Sequence, residues 1–232
     1  EDRPAGLALV HRRLAIVDLS PPGHQPMADS SGRFVISYNG EIYNAPELRA
    51  GLEQRGHRFR GHSDTEVLVE LLSRDGPDAL GRLNGIFALA LWDREERTLL
   101  LVRDQMGVKP LYWTETAHGI AFASEIKGLL AVPGLNREID RAAAASYLTF
   151  LWSPGERTMF RSVKKLDAGC WLRIDAFGGK VQSRIYSLPI PAPQRMTDDE
   201  AVRGTRDRLE AAVKRQMMGD VEVGAFLSGG LD

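Results

Sequence analysis

Two apolar runs, Ile86–Trp92 and Thr98–Val102, joined by the charged turn Asp93–Arg97, restrict the fold more than any other stretch of the chain. Neither run alternates apolar with polar residues, so both read as strands buried on both faces, a hairpin at the centre of a sheet. Leu111–Thr114 and Ile120–Ser124 follow, joined through His118-Gly119, and extend the pattern as an antiparallel meander. Cys170–Ile174 and Val181–Tyr186 form a last hairpin across Phe177-Gly178-Gly179, and Gly6–Val10 and Leu14–Val17 are short apolar strands near the start. Helical stripes are grouped apart from these strands. Leu48 and Leu52 mark one helix that Gly56 stops, and Ser63-Asp64-Thr65-Glu66 has the capping-box form before Val67, Leu68, Leu71 and Leu72. Glu125–Ala131 reads as a short helix, and Asp140 caps an alanine-rich helix running to about Phe150. Runs of antiparallel strands with segregated helices make an α+β fold.

Composition narrows the function. Across 232 residues, 30 Lys and Arg face 31 Asp and Glu, so no basic excess marks a nucleic-acid partner. Cys170 is the one cysteine and the five histidines are scattered, which excludes a disulfide framework and offers no metal signature. No apolar run reaches the roughly 20 residues of a membrane span and no signal peptide opens the chain, so the expectation is a soluble cytoplasmic protein. Pro189, Pro191 and Pro193 stiffen a linker between residues 1–188 and a second unit, residues 197–232. There Thr197-Asp198-Asp199-Glu200 caps a helix whose stripe, Val202, Leu209, Val213 and Met217, reads as core, and Val221–Leu227 reads as a strand before Ser228-Gly229-Gly230-Leu231-Asp232. A Gly-rich loop after a strand is a weak phosphate signal. With Glu1 first and Asp232 inside that loop, the chain reads as a piece of a longer protein.

The densest polar constellation is Tyr38-Asn39-Gly40-Glu41-Ile42-Tyr43-Asn44. Phe34, Ile36 and Tyr38 alternate with Arg33, Val35 and Ser37 as one strand, and Asn44-Ala45-Pro46 opens a helix. Asn-Gly alone would be a hairpin turn, but here it reads as a strand-to-helix corner. At such a corner a side-chain amide and a bare N–H can converge on a developing oxyanion. Asp64 falls at a helix N-terminus, where dipole stabilisation is the structural alternative. For Arg13 that alternative is a surface arginine.

His11–Asp18, Tyr38–Asn44, Ser63–Val67, Arg103–Tyr112, Phe122–Lys127 and Phe226–Asp232, in this order, resemble the glutamine-hydrolysing asparagine synthetase family. The resemblance implies a class II glutamine amidotransferase: a four-layer αββα sandwich of the N-terminal-nucleophile type joined to an α/β ATP pyrophosphatase domain. It implies that Arg13 pairs with the α-carboxylate of glutamine, the fork geometry of a guanidinium suiting a carboxylate. Leu14, Ala15, Ile16 and Val17 would line the glutamine pocket, and Asn39 and Gly40 would form the oxyanion hole. Glu41 would extend the glutamine-binding stretch and Asp64 would face the α-amino group. Leu227, Ser228, Gly229, Gly230, Leu231 and Asp232 would hold ATP, used with Mg²⁺ to activate aspartate. Arg103–Tyr112 is read as architectural.

One departure stands out. The family nucleophile is an N-terminal cysteine whose own α-amino group acts as base, and these residues do not include it. Cys170 is mid-chain and reads as a small buried hydrophobe, so the 232 residues alone are expected to be inactive. Three functions stay open: glutamine-dependent asparagine synthesis, a related ATP-dependent amidation of a peptide or cell-envelope precursor, and a glutaminase-like binding module without catalysis. A homodimer is equally open.

Overall fold

The structure is a computed structural model that describes residues 1–12, 18, 21–186, 192–226 and 229. Its first sheet begins with β1 (Met27–Ala28) and β2 (Phe34–Ile42). Two helices follow, α1 (Ala45–Gln54) and α2 (Asp64–Asp75), and then the central hairpin of β3 (Gly85–Asp93) and β4 (Thr98–Arg103). The chain next leaves for a second sheet through β5 (Tyr112–Thr116) and β6 (Gly119–Ala123), followed by α3 (Ile126–Leu129), α4 (Arg141–Phe150) and β7 (Val163–Lys165). It returns through β8 (Cys170–Ile174) and β9 (Lys180–Arg184), and α5 (Asp198–Gln216) comes last.

The six-stranded sheet has the order β1-β2-β3-β4-β8-β9 and the three-stranded sheet the order β6-β5-β7, with every pairing antiparallel. The all-apolar hairpin is central, as its composition requires, because both of its faces are covered. On one face Ile36, Phe87, Leu89 and Leu100 pack against Leu48, Leu52, Val67 and Leu71 of α1 and α2. On the other, Ala90, Trp92, Leu99 and Leu101 pack against Leu111, Trp113 and Leu166 of the second sheet and its flanks. Helix, sheet, sheet and the α3 side together give the αββα order, and the expected α+β fold is borne out.

Several local expectations change. The strands from Leu111 to Ser124 do not continue the first sheet as a meander. The turn after β4 redirects the chain, and β8 takes the place beside β4 that β5 would have filled. Gly6–Val10 forms no strand, only an Asp2–Leu7 bridge, and Leu14–Val17 lies outside the described residues. Residues 221–226 form no strand either, since no described strand pairs with them. The stripe of α5 is not core: Val202, Leu209, Val213 and Met217 are 50–63% exposed. The caps hold better. Thr197 and Glu200 complete a reciprocal capping box, Asp140 accepts from the N–H groups of Ala142 and Ala143, and Ser63 accepts from Glu66. Glu66 does not reach back to Ser63. Its carboxylate accepts instead from the N–H groups of Arg60 and Gly61.

Candidate active site

A cavity of about 640 Å³ opens at one end of the gap between the two sheets. Its floor is Ala88 and Ala90 of β3 with Leu111, Phe122 and Ala123 from the second sheet, and Asn39, Gly40, Glu41 and Asp64 border it. The structure therefore brings four of the sequence-selected residues to one place. Arg13–Val17 lie outside the described residues. Their neighbours His11 and Arg12 also border the cavity.

Asn39 and Gly40 do not sit at a corner. β2 runs unbroken through them to Ile42, in register with β3 as Asn39 opposite Ala88 and Gly40 opposite Phe87. The strand continues because β3 supplies partners down to Gly85; the helix begins only after Asn44. Asn44 does not cap α1 with its side chain, which instead bonds the backbone of Arg82 and Asn84. This strand still presents a bare N–H. In an antiparallel ladder, N–H groups two residues apart point to the same side. Tyr38 N–H donates to Gln25 Oε1 at 2.7 Å and Ile42 N–H to Asp64 Oδ2 at 3.1 Å, both away from β3. Gly40 N–H, between them, points the same way. Phe87 opposite is already committed to Asp104, its N–H to the carboxylate and its carbonyl to the backbone N–H. β1 pairs with β2 only at Val35 and Ile36, so no strand covers this edge at Gly40. Among the described residues the Asn39 side-chain amide has no hydrogen bond of its own.

Gly40 is required sterically as well. Its φ is +155°, and a Cβ there would lie 2.1 Å from the Ile86 carbonyl oxygen. Only glycine allows the two strands this close approach.

Asp64 is buried at the first turn of α2, where the helix dipole favours its charge. It is also held from outside the helix. The Tyr38 hydroxyl donates to Asp64 Oδ2 at 2.8 Å beside the Ile42 N–H. Burial, reinforced by the Asp64 charge, pushes the Tyr38 phenol well above the ordinary tyrosine value, so it stays a donor across the neutral range. Gln25 joins the same frame, accepting from Tyr38 N–H and donating from Nε2 to Thr65 Oγ1 at 3.2 Å. The strand and the start of α2 are thus tied through three polar side chains. Sequence reading missed Tyr38 and Gln25 in this role. The available signal was a tyrosine on the buried face of an alternating strand, whose hydroxyl must find a partner.

Lys109 borders the cavity, as does Leu111, so the stretch Arg103–Tyr112, expected to be architectural, also contributes to the lining. Asp104 accepts from the N–H groups of Phe87, Met106, Val108 and Lys109, and Arg103 donates to the carbonyls of Lys109, Leu166 and Gly107. Across the cavity, burial raises the Glu41 carboxyl, Lys109 opposing and Asp64 adding to the shift. Cys170 is 3% exposed between the sheets and its thiol is raised by burial, the environment of a small buried hydrophobe rather than of an activated thiol. Of the terminal motif only Gly229 is described, and it is exposed. No group of three His, Cys, Asp or Glu side chains among the described residues could hold a metal, and no described helix is long and apolar enough to cross a membrane.

This arrangement has close parallels. Residues 3–186 match the family described as glutamine amidotransferase domain, and residues 204–232 match asparagine synthase. Asparagine synthetase [glutamine-hydrolyzing] 2 of Bacillus subtilis is 36% identical over 100% of this chain and 32% of its own length. Asparagine synthetase [glutamine-hydrolyzing] 1 of the same organism is 37% identical over 95% and 34%. The chain thus spans about a third of the length of these relatives. In fold it resembles the solved structure of the allosteric regulatory enzyme of purine biosynthesis, with a TM-score of 0.52 at 21% identity, covering 76% of this chain and 34% of that one. The chain belongs to the glutamine amidotransferase family, and its resemblance to the glutamine-hydrolysing asparagine synthetases is borne out over its whole length.

Proposed function

We propose that the cavity binds glutamine and cleaves its side-chain amide, in a protein that uses ATP to adenylate aspartate and converts it to asparagine with the ammonia released. The observation that carries this reading is that one cavity is bordered by the Asn39 amide with the edge-facing Gly40 N–H and, apart from that pair, by Asp64 held by Tyr38. The first pair suits the oxyanion that forms when the amide carbon is attacked, since such donors act where charge develops. The second suits a fixed ammonium group. A substrate reaching from one to the other has an amide at one end and an α-amino group at the other, as glutamine does.

Arg13 completes the reading as partner of the α-carboxylate, with Leu14–Val17 beside it, on the strength of the resemblance. Glu41 and Lys109 also line the cavity. The attacking thiol on this reading is the family's N-terminal cysteine and not Cys170. ATP belongs at Leu227–Asp232, with Mg²⁺ on its phosphates, and residues 1–188 and 197–232 are the two units that divide the labour. The test supplies the full-length protein with ATP, aspartate and glutamine carrying heavy nitrogen in its side-chain amide. Heavy asparagine and glutamate in equal amounts are expected. Heavy ammonia without asparagine would overturn the aspartate acceptor, and no release of label would overturn the reading of the cavity.

A further inference from the structure

Outside the cavity, three stretches far apart in sequence meet at one carboxylate oxygen. Asp18 is fully buried and takes a left-handed backbone, φ +54°, which aspartate tolerates better than most residues. Its N–H donates to Asp220 Oδ2 at 2.8 Å. The same oxygen lies 2.8 Å from His62 Nε2, and the Asp18 carboxylate accepts from the His62 N–H at 3.0 Å. The three residues therefore close a ring of hydrogen bonds.

The position of each member matters. Asp18 directly follows residues 13–17, His62 precedes Asp64 by one residue, and Asp220 lies in the segment that matches asparagine synthase. We propose that Asp220 is a positioning residue for the glutamine pocket. By holding His62 against Asp18 it fixes the approach to Asp64, which on the glutamine reading faces the α-amino group of glutamine, and it makes this placement depend on where the asparagine synthase segment sits. The proposal rests on the glutamine reading of the cavity.

An exposed ion pair would be too weak to do this alone: His62 and Asp220 side chains are 61% and 44% exposed, and such pairs contribute little. What distinguishes the ring is the N–H of a buried residue in a conformation the chain must be held in. Removing Asp220 leaves that N–H without this acceptor.

Protonation of His62 strengthens the ring. Its imidazolium is favoured by the hydrogen bond to Asp220 and by the charges of Asp18 and Asp220, against desolvation and the charge of Arg49 on α1. These are the charged groups that face it among the described residues. Because the folded value is raised, the stabilisation is full below the ordinary histidine value and is lost as pH rises through the raised one.

The experiment compares Asp220→Ala and His62→Gln with the unsubstituted full-length protein, following the His62 ring by NMR through a pH titration and glutamine hydrolysis by glutamate release. Alanine removes the acceptor of both the Asp18 N–H and the His62 ring. In Asp220→Ala the His62 midpoint is expected to fall and the glutamine KM to rise several-fold with kcat nearly unchanged. His62→Gln, which keeps a donor, is expected to raise KM less than Asp220→Ala and to flatten the alkaline rise in KM. An unmoved His62 midpoint in Asp220→Ala would overturn the contact. A moved midpoint with an unchanged glutamine KM would overturn its link to the pocket. Absence of hydrolysis in the unsubstituted protein would overturn the glutamine reading beneath it, and is told apart by a midpoint that still falls in Asp220→Ala.

Discussion

Replacing Tyr38 by Phe removes one oxygen atom from the buried frame of the site and leaves the ring in place. The lost contact is the 2.8 Å donation to Asp64 Oδ2; the Ile42 N–H at 3.1 Å remains. A hydrogen bond to a charged group contributes about 1.5–3 kcal/mol, which corresponds to roughly ten- to hundredfold in an equilibrium. Asp64 keeps its buried place at the start of α2, so the loss falls on how firmly its carboxylate is held beside the cavity. If that carboxylate receives the α-amino group of glutamine, the glutamine KM rises within this range. The kcat changes far less, because the reacting amide lies at the other end of the substrate. On the proposed function, synthesis from free ammonia does not use the cavity and is expected to be unaffected. Initial rates of glutamate formation over a range of glutamine concentrations, with thermal unfolding as control, measure all of this. An unchanged KM, or an equal fall in ammonia-dependent activity, would refute the reasoning and leave Tyr38 a core residue only.

Other substitutions test the frame. Gly40→Ala places a methyl 2.1 Å from the Ile86 carbonyl oxygen, so β2 and β3 must part; a loss of about 3 kcal/mol or more is expected in denaturant unfolding. Asp104→Ala strips acceptors from four N–H groups and should cost at least about 3 kcal/mol, with Lys109 displaced from the cavity and hydrolysis lost along with stability. Cys170→Ala leaves hydrolysis intact and costs about 1 kcal/mol of stability for the buried sulfur, whereas loss of turnover with full stability would make Cys170 the nucleophile.

The parts of the fold that were legible are those where one local rule acts alone. An uninterrupted apolar hairpin has nowhere to go but the centre, and Asp140, Ser63 and Thr197 announce helix starts by their own side-chain chemistry. The misread parts depend on remote partners. The Asn39-Gly40 pair looks like a turn or a corner, and becomes mid-strand only because β3, arriving over forty residues later, offers a full register down to Gly85. The split into two sheets is decided by β8 reclaiming the edge of β4 after a long excursion. Val221–Leu227 has strand composition, but residues 221–226 pair with no described strand, and composition alone does not make a strand. At the site, Asn39, Gly40 and Glu41 stand out because polar groups crowd one short stretch, whereas Asp64 reads as a helix-dipole residue until the family resemblance gives it a role. Tyr38 offers only a buried hydroxyl in need of a partner, and the roles of Gln25 and Lys109 lie in distances between elements.

The central claim is that the Asn39 end of the cavity stabilises a developing negative charge. Asn39→Ala in the full-length protein, with glutamate release measured from glutamine and asparagine formation measured from free ammonia, tests it most directly. Losing one oxyanion donor should lower the kcat of hydrolysis by roughly 10²- to 10³-fold with a smaller change in KM, and leave the ammonia reaction intact. Hydrolysis at an unaltered kcat, with only KM raised, would contradict the account and reduce Asn39 to a wall of the pocket.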